Sequence, residues 1–256
     1  AAHRVNKMTL GVSNNGTFGS GFSAAGTTDC FTGEPVPGCE YPAGSNAEYL
    51  FAGALWFGAV VGRDTLVSTG AEGWFAVNEF HPYEAPGGNM IRRPTLDPYS
   101  PEYTDAVSHM DLIAVFTDTF VTLAGIDPGN GGRPHVPLNI EVTRSTYSWG
   151  FMPAEDIVLM DYRIRNIGQQ ALSDAYVGIY VDGDVCVDCN SGGYQDDISG
   201  FIDKSLWQSG TCEFQEDVAI AWIADNDGDL AAGAVPNVTA TSVVRTPLDS
   251  LTVNYN

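Results

Sequence analysis

Seven aspartates gathered in three short stretches are the residues of this chain whose type and spacing point to chemistry. Asp182 and Asp184 close the run Tyr176-Val177-Gly178-Ile179-Tyr180-Val181 as Asp182-Gly183-Asp184. Asp196 and Asp197 are adjacent, and Asp225, Asp227 and Asp229 alternate with Asn226 and Gly228 after the run Val218-Ala219-Ile220-Ala221-Trp222-Ile223-Ala224. Carboxylates crowded this closely repel one another unless a cation neutralises them. Hard oxygen ligands at alternate positions, with glycines to turn the backbone, are what Ca²⁺ selects, so calcium is the cofactor this pattern predicts. The loop falls short of an EF-hand, because no Glu stands at the twelfth position from Asp225. Asp and Asn also favour turns through bonds to their own backbone, so solvated acidic turns are the competing reading. If the Tyr176 and Val218 runs are strands of one meander, with residues 201–207 between them, their ends share a rim and the carboxylates converge.

The same carboxylates admit a catalytic reading. Glycosidases use two of them with one pKa raised by an apolar pocket, and Trp56, Trp74, Trp149, Trp207 and Trp222 would serve as sugar platforms. Crowding of this kind stabilises a metal better than a single protonated acid, and aromatic residues at 11% are an ordinary core load. The chain has no HExxH, GxSxG, P-loop or Rossmann fingerprint. His3, His81, His109 and His135 are far apart in sequence and read as packing or surface residues. A non-enzymatic role is therefore expected.

Composition narrows the partners. With 32 acidic against 11 basic residues the formal charge is −21, the wrong sign for nucleic acid or an anionic membrane. The longest apolar run, Leu50 to Val61, is too short to span a bilayer and is broken by Gly53 and Gly58. Arg4 and Lys7 precede no apolar h-region, and Ala1-Ala2-His3 reads as a mature end left by cleavage after small residues. Cys30 and Cys39 flank a Pro/Gly-rich loop that a disulfide would close, and Cys212 is expected to meet Cys186 or Cys189. Cys186-Val187-Asp188-Cys189 lacks the second pair that a zinc site needs. Disulfides place the protein outside the cytoplasm.

The elements that must position these residues read as strands. Met8, Leu10 and Val12 alternate with polar or small neighbours up to the turn Asn14-Asn15-Gly16. Leu50 to Val61 reads as a strand buried on both faces, followed by strands at residues 65–68, 112–116 and 138–142. The clearest alternation sets Val158, Met160, Tyr162 and Ile164 against Leu159, Asp161, Arg163 and Arg165. Residues 17–47 and 78–104 are Gly- or Pro-rich excursions, and a turn or two of helix is expected between Tyr103 and Met110. Strands every ten to twenty residues predict an all-β, antiparallel β-sandwich, jelly-roll or immunoglobulin-like. The expected organisation is one domain over 1–256, with domains at 1–145 and 146–256 as the alternative.

The order of Asp156 to Asn166, Tyr176 to Asp184, Asp196-Asp197-Ile198-Ser199-Gly200 and Asp225 to Asp229 adds a resemblance. Together with Tyr41-Pro42-Ala43-Gly44-Ser45 and Leu55-Trp56-Phe57-Gly58, it is similar to a group of uncharacterised, secreted β-sandwich proteins of environmental bacteria. Those proteins usually continue into immunoglobulin-like or sorting modules. The resemblance implies an exported, extracellular or cell-surface protein. The combined expectation is a calcium-stabilised subunit of an extracellular filament, sheath or surface assembly whose partner is itself. In that reading residues 5–12 or 251–255 complete the sheet of a neighbouring copy. A polysaccharide-binding module or adhesin is the alternative, and a glycosidase-like enzyme comes third.

Overall fold

The computed structural model describes residues 1–19, 27–71, 78–83, 89–121, 134–187, 194–202, 219–226 and 238–244. Among them every extended element is a β-strand, and the helical signal near Tyr103 reduces to one 3₁₀ turn, Tyr103–Asp105. The chain divides into two compact units, Ala1–Asp182 and Gly183–Asn256. Residue 145 lies inside a nine-residue strand, Ile140–Ser148, so a boundary at 145/146 would cut a paired element.

The first unit opens with β1 (Ala2–His3), β2 (Thr9–Gly11), β3 (Phe18–Gly19), β4 (Thr27–Thr28), β5 (Pro35–Val36) and β6 (Cys39–Glu40). Longer strands follow: β7 (Ala52–Val61), β8 (Asp64–Thr69), β9 (His81–Pro82), β10 (Ile91–Pro94), β11 (Met110–Thr117), β12 (Ile140–Ser148), β13 (Val158–Asn166) and β14 (Leu172–Asp182). One antiparallel sheet has the order β10-β11-β12-β13, with β9 also on β11. A second has the order β14-β7-β3, with β8 also on β7. Leu55, Phe57 and Ala59 of the second sheet join Ala114, Phe116, Ile140 and Val142 of the first in one buried cluster, completed by Phe80 and Leu138. The inner faces of the two sheets therefore meet, which is a sandwich-like, all-β arrangement. β13 follows its sequence alternation, with Val158, Met160, Tyr162 and Ile164 more enclosed than their neighbours.

Three of the five inward residues of β12 are polar. Ile140, Val142, Arg144, Thr146 and Ser148 are all buried, alternating with half-exposed residues. Arg144 donates to the carbonyls of Ser13 (2.7 Å), Gly16 (2.8 Å) and Thr17 (3.0 Å). His3 bridges Ser148 Oγ through Nδ1 and Thr146 Oγ1 through Nε2, each at 2.7 Å. The N-terminal sheet β1-β2-β6 thus closes the polar end of the sandwich.

This placement corrects the expectation that residues 5–12 stand ready to leave for a neighbour. Lys7 N donates to Glu155 O, Val12 N donates to Ala1 O, and Thr9, Leu10, Gly11 and Val12 are buried. β2 is the middle strand of its sheet and not an open edge. Residues 251–255 lie outside the described residues.

A second correction concerns the cysteines. Cys30 and Cys39 are both free. The loop between them is closed by the β4-β5 pair instead, with Asp29 Oδ1 accepting from Phe31 N (2.8 Å) and Gly33 N donating to Asp29 O (2.8 Å). Cys30 is exposed at the tip, while Cys39 is buried on β6, where burial pushes its thiol up to about 12. Cys186 is disulfide-bonded; Cys189 and Cys212 lie outside the described residues.

The second unit holds a three-stranded antiparallel sheet of β15 (Ile198–Ile202), β16 (Ile220–Ala224) and β17 (Val238–Ser242). A meander running from β14 into β15 and β16 is not formed: β14 belongs to the sheet of β7, and β15 and β16 belong to another. Hydrophobic complementarity to the buried β7 run decides that pairing, and neighbours in sequence do not reveal it.

Candidate functional site

Antiparallel register is what brings acidic residues together in the second unit. Ile198 pairs with Ala224 at the last rung of β15-β16, so Asp197 and Asp225 stand opposite one another one step beyond the ladder. Asp197 Oδ2 accepts from Val185 N at 2.9 Å, and Oδ1 is buried without a hydrogen-bond partner. Burial pushes the Asp197 carboxyl up to about 6; the Val185 N–H pulls the other way, and the charges of Asp225 and Asp196 push it further up. Three of the seven aspartates thus share one field.

Asp182 ends β14 in the first unit and accepts from Tyr180 Oη at 3.2 Å. Asp184 belongs to the second unit and directly precedes Val185, whose N–H bonds Asp197. Asp227 and Asp229 lie outside the described residues, and among the described residues no three His, Cys, Asp or Glu side chains are grouped to hold a metal ion. What is described is an acidic nucleus of Asp196, Asp197 and Asp225 with one unsatisfied buried oxygen, a donor set of the hard type that Ca²⁺ prefers.

A buried polar cluster that the sequence does not announce lies in the first unit. His135 Nδ1 is 3.0 Å from Glu79 Oε1, and its Nε2 is 2.7 Å from the Asp118 carbonyl. Glu79 Oε2 also accepts from Thr69 N, while Asp118 accepts from Ser68 Oγ, Leu138 N and Ile140 N. The carboxylates of Glu79 and Asp118 and His135 Nε2 have hydrogen-bond partners, while His135 Nδ1 makes only the ion-pair contact with Glu79 and no hydrogen bond. No spacing in the sequence links positions 68, 79, 118 and 135. His109 Nδ1 accepts from Gly150 N at 3.0 Å, which fits the packing role expected for the histidines.

The tryptophans separate into two roles. Trp222, half-buried, packs across Gly200, its cross-strand partner in β15-β16, where an added Cβ would lie 2.4 Å from its ring. Trp56 donates from Nε1 to Ala71 O at 2.6 Å and lies parallel to Tyr180, 4° between planes and 5.7 Å between centroids. A cavity of about 580 Å³ opens where the two sheets of the sandwich end, with Val61, Leu66 and Ile167 as apolar lining and Asn139 and Gln170 as polar lining. No protein-family model matches the chain, and no curated protein or solved structure matches it at a significant level.

Proposed function

We propose that this protein is an exported structural subunit that assembles with copies of itself through the edge of β14 that faces away from β7, and that calcium supports the acidic turns of its second unit. The observation that carries the reading is the edge itself. β14 runs for eleven residues, pairs with β7 on one side, and among the described residues has no strand on the other. Residues 173–178 are all exposed, and Ala175-Tyr176-Val177-Gly178 carries no charge. Exposed, uncharged edges recruit further strands unless they are guarded. The edge strand of the facing sheet, β13, is guarded: Asp161, Arg163 and Arg165 are exposed along it. Of these two edges, β14 offers the longer exposed run without charge, from Ala175 to Gly178, beyond the bulge at Asp174.

Export is supported by the disulfide at Cys186, by the charge of −21 and by the resemblance to secreted proteins. Copies this acidic repel one another, and a divalent cation relieves that repulsion as well as filling the Asp197 site. The test is negative-stain microscopy and sedimentation of the protein with calcium and with EGTA, alongside Val177→Lys, which places a charge on the edge. Polymers in calcium that Val177→Lys abolishes, at an unchanged melting temperature, are the expected result. A wild-type chain that stays monomeric at high concentration with calcium would sink the proposal, as would a Val177→Lys chain that polymerises normally.

A further inference from the structure

The outer face of the β14-β7-β8 sheet presents aromatic rings in a setting that folding alone does not require. Leu55, Phe57 and Ala59 point into the core, so Trp56 and Gly58 face away from it. Gly58 is flanked by Tyr176 on β14 and Val67 on β8, which are 75% and 49% exposed. Trp56 is flanked by Gly178, and its ring lies parallel to that of Tyr180. Gly178 is not demanded by packing, since an added Cβ would meet nothing nearer than Trp56 Cβ at 3.8 Å. A glycine within a strand weakens it and marks places where something approaches the backbone closely.

The orientation of the tyrosines is set by a bulge. Leu172 and Ile179 both pack against the core although they are an odd number of residues apart, which a regular strand forbids. The register accommodates this with one extra residue: Ser173 pairs with Val60 and Tyr176 with Gly58, leaving Asp174 and Ala175 opposite Ala59. Asp174 adopts φ 47°, a left-handed conformation that a non-glycine residue enters at a cost. Without the extra residue Tyr176 would turn toward the core. The bulge therefore sets Tyr176 and Tyr180 on the same face, opposite to that of Leu55, Phe57 and Ala59, with Tyr176 exposed and Tyr180 half-buried.

We propose that this face binds a neutral polysaccharide, with Tyr176 at one end and the Trp56–Tyr180 pair at the other stacking on the apolar faces of sugar rings. Tyr176 and Tyr180 are four residues apart, about 13 Å along the strand, a span of a few sugar units. The side chains between them carry no charge in a chain that has 32 acidic residues, and Asp182, bonded to Tyr180 Oη, stands at the far end as a hydroxyl acceptor. An anionic polymer would be repelled by the net charge of −21. The inference does not rest on self-assembly, which uses the edge of β14 and not this face.

Affinity electrophoresis of the full chain through gels containing a soluble β-glucan, a galactomannan or alginate tests it, with pull-down on cellulose and chitin. Retention by at least one neutral polymer is expected, with Tyr176→Ala weakening it roughly tenfold and Tyr176→Phe keeping it, since the ring face supplies the contact. Both variants should melt like the wild type, because Tyr176 is 75% exposed. Val177→Lys should bind normally, which separates this outcome from that of assembly. Absence of retention by every neutral polymer would overturn the proposal. So would retention by alginate alone, retention indifferent to Tyr176→Ala, or a Tyr176→Ala effect confined to self-association.

Discussion

His3 shows how one buried side chain ties the pH response of the fold to the N-terminal strand. Burial, then the charges of Arg144 and of the N-terminal amine, lowers it to about 3 from an ordinary 6.5. A histidine held neutral in the fold contributes stability that is complete above pH 6.5 and is lost as pH falls from 6.5 toward about 3. At about 1.4 kcal/mol per pH unit the full loss is on the order of 5 kcal/mol. His135 has the opposite sign. Burial alone would lower it, but Glu79 and the Asp118 carbonyl raise it above 6.5, so its contribution is present below 6.5 and lost as pH rises through the raised value. Calorimetric melts of wild type and His3→Gln from pH 7 to 4 separate the two. The variant, though less stable at pH 7, is expected to lose much less on acidification; parallel curves would refute the assignment.

Among elements, β14 depends most on a local irregularity. Because side chains alternate with period two, the Asp174–Ala175 bulge is the reason that Leu172, Ile179 and Tyr176 each face the side they do. Deleting Ala175 restores a regular strand and forces either Leu172 or Ile179 out of the core. The expected cost is about 3 kcal/mol or more, read as a fall in the urea midpoint, while Ala175→Gly changes it by less than about 1 kcal/mol. A deletion variant with a wild-type midpoint would show that the bulge is incidental. β12 illustrates the complementary case, an element of regular geometry whose inward side chains change from Ile140 and Val142 to Arg144, Thr146 and Ser148. Carbonyls of residues 13–17 and the ring of His3 pair with its polar side chains, leaving Arg144 Nε as the buried atom without a hydrogen bond there.

At the scale of the molecule, the two units differ in what holds them. The first has a sandwich core drawn from both of its large sheets, and the described strands of the second form one three-stranded sheet beside an acidic nucleus. A carboxyl raised in the fold contributes stability below its unfolded value, and that contribution is lost as pH rises from 3.8 to about 6. At neutral pH without a cation, Asp197 therefore weakens the second unit. Calcium at 100 times its Kd would add roughly 2.7 kcal/mol. Melts in calcium and in EGTA should differ for the wild type, and Asp197→Asn should melt higher than wild type in EGTA while responding less to calcium. Identical wild-type midpoints in the two buffers would remove calcium from the account.

Strand content was legible in the sequence. Alternation over Val158 to Arg165 and the apolar run ending at Val61 became β13 and β7, because burial of one or both faces writes itself directly into residue order. The aspartates could be named for the same local reason. Which strand lies beside which could not be read, since pairing is decided by surfaces distant in the chain. β14 pairs with β7, and it is the register of a different sheet, β15-β16, that sets Asp197 opposite Asp225. The polar half of β12 was invisible because Thr143 to Ser148 has no hydrophobic period, and its partners, His3 and the carbonyls of Ser13, Gly16 and Thr17, come from well over a hundred residues away. The outward aim of Tyr176 depends on one extra residue in a ladder, a property of two strands together that neither strand carries alone.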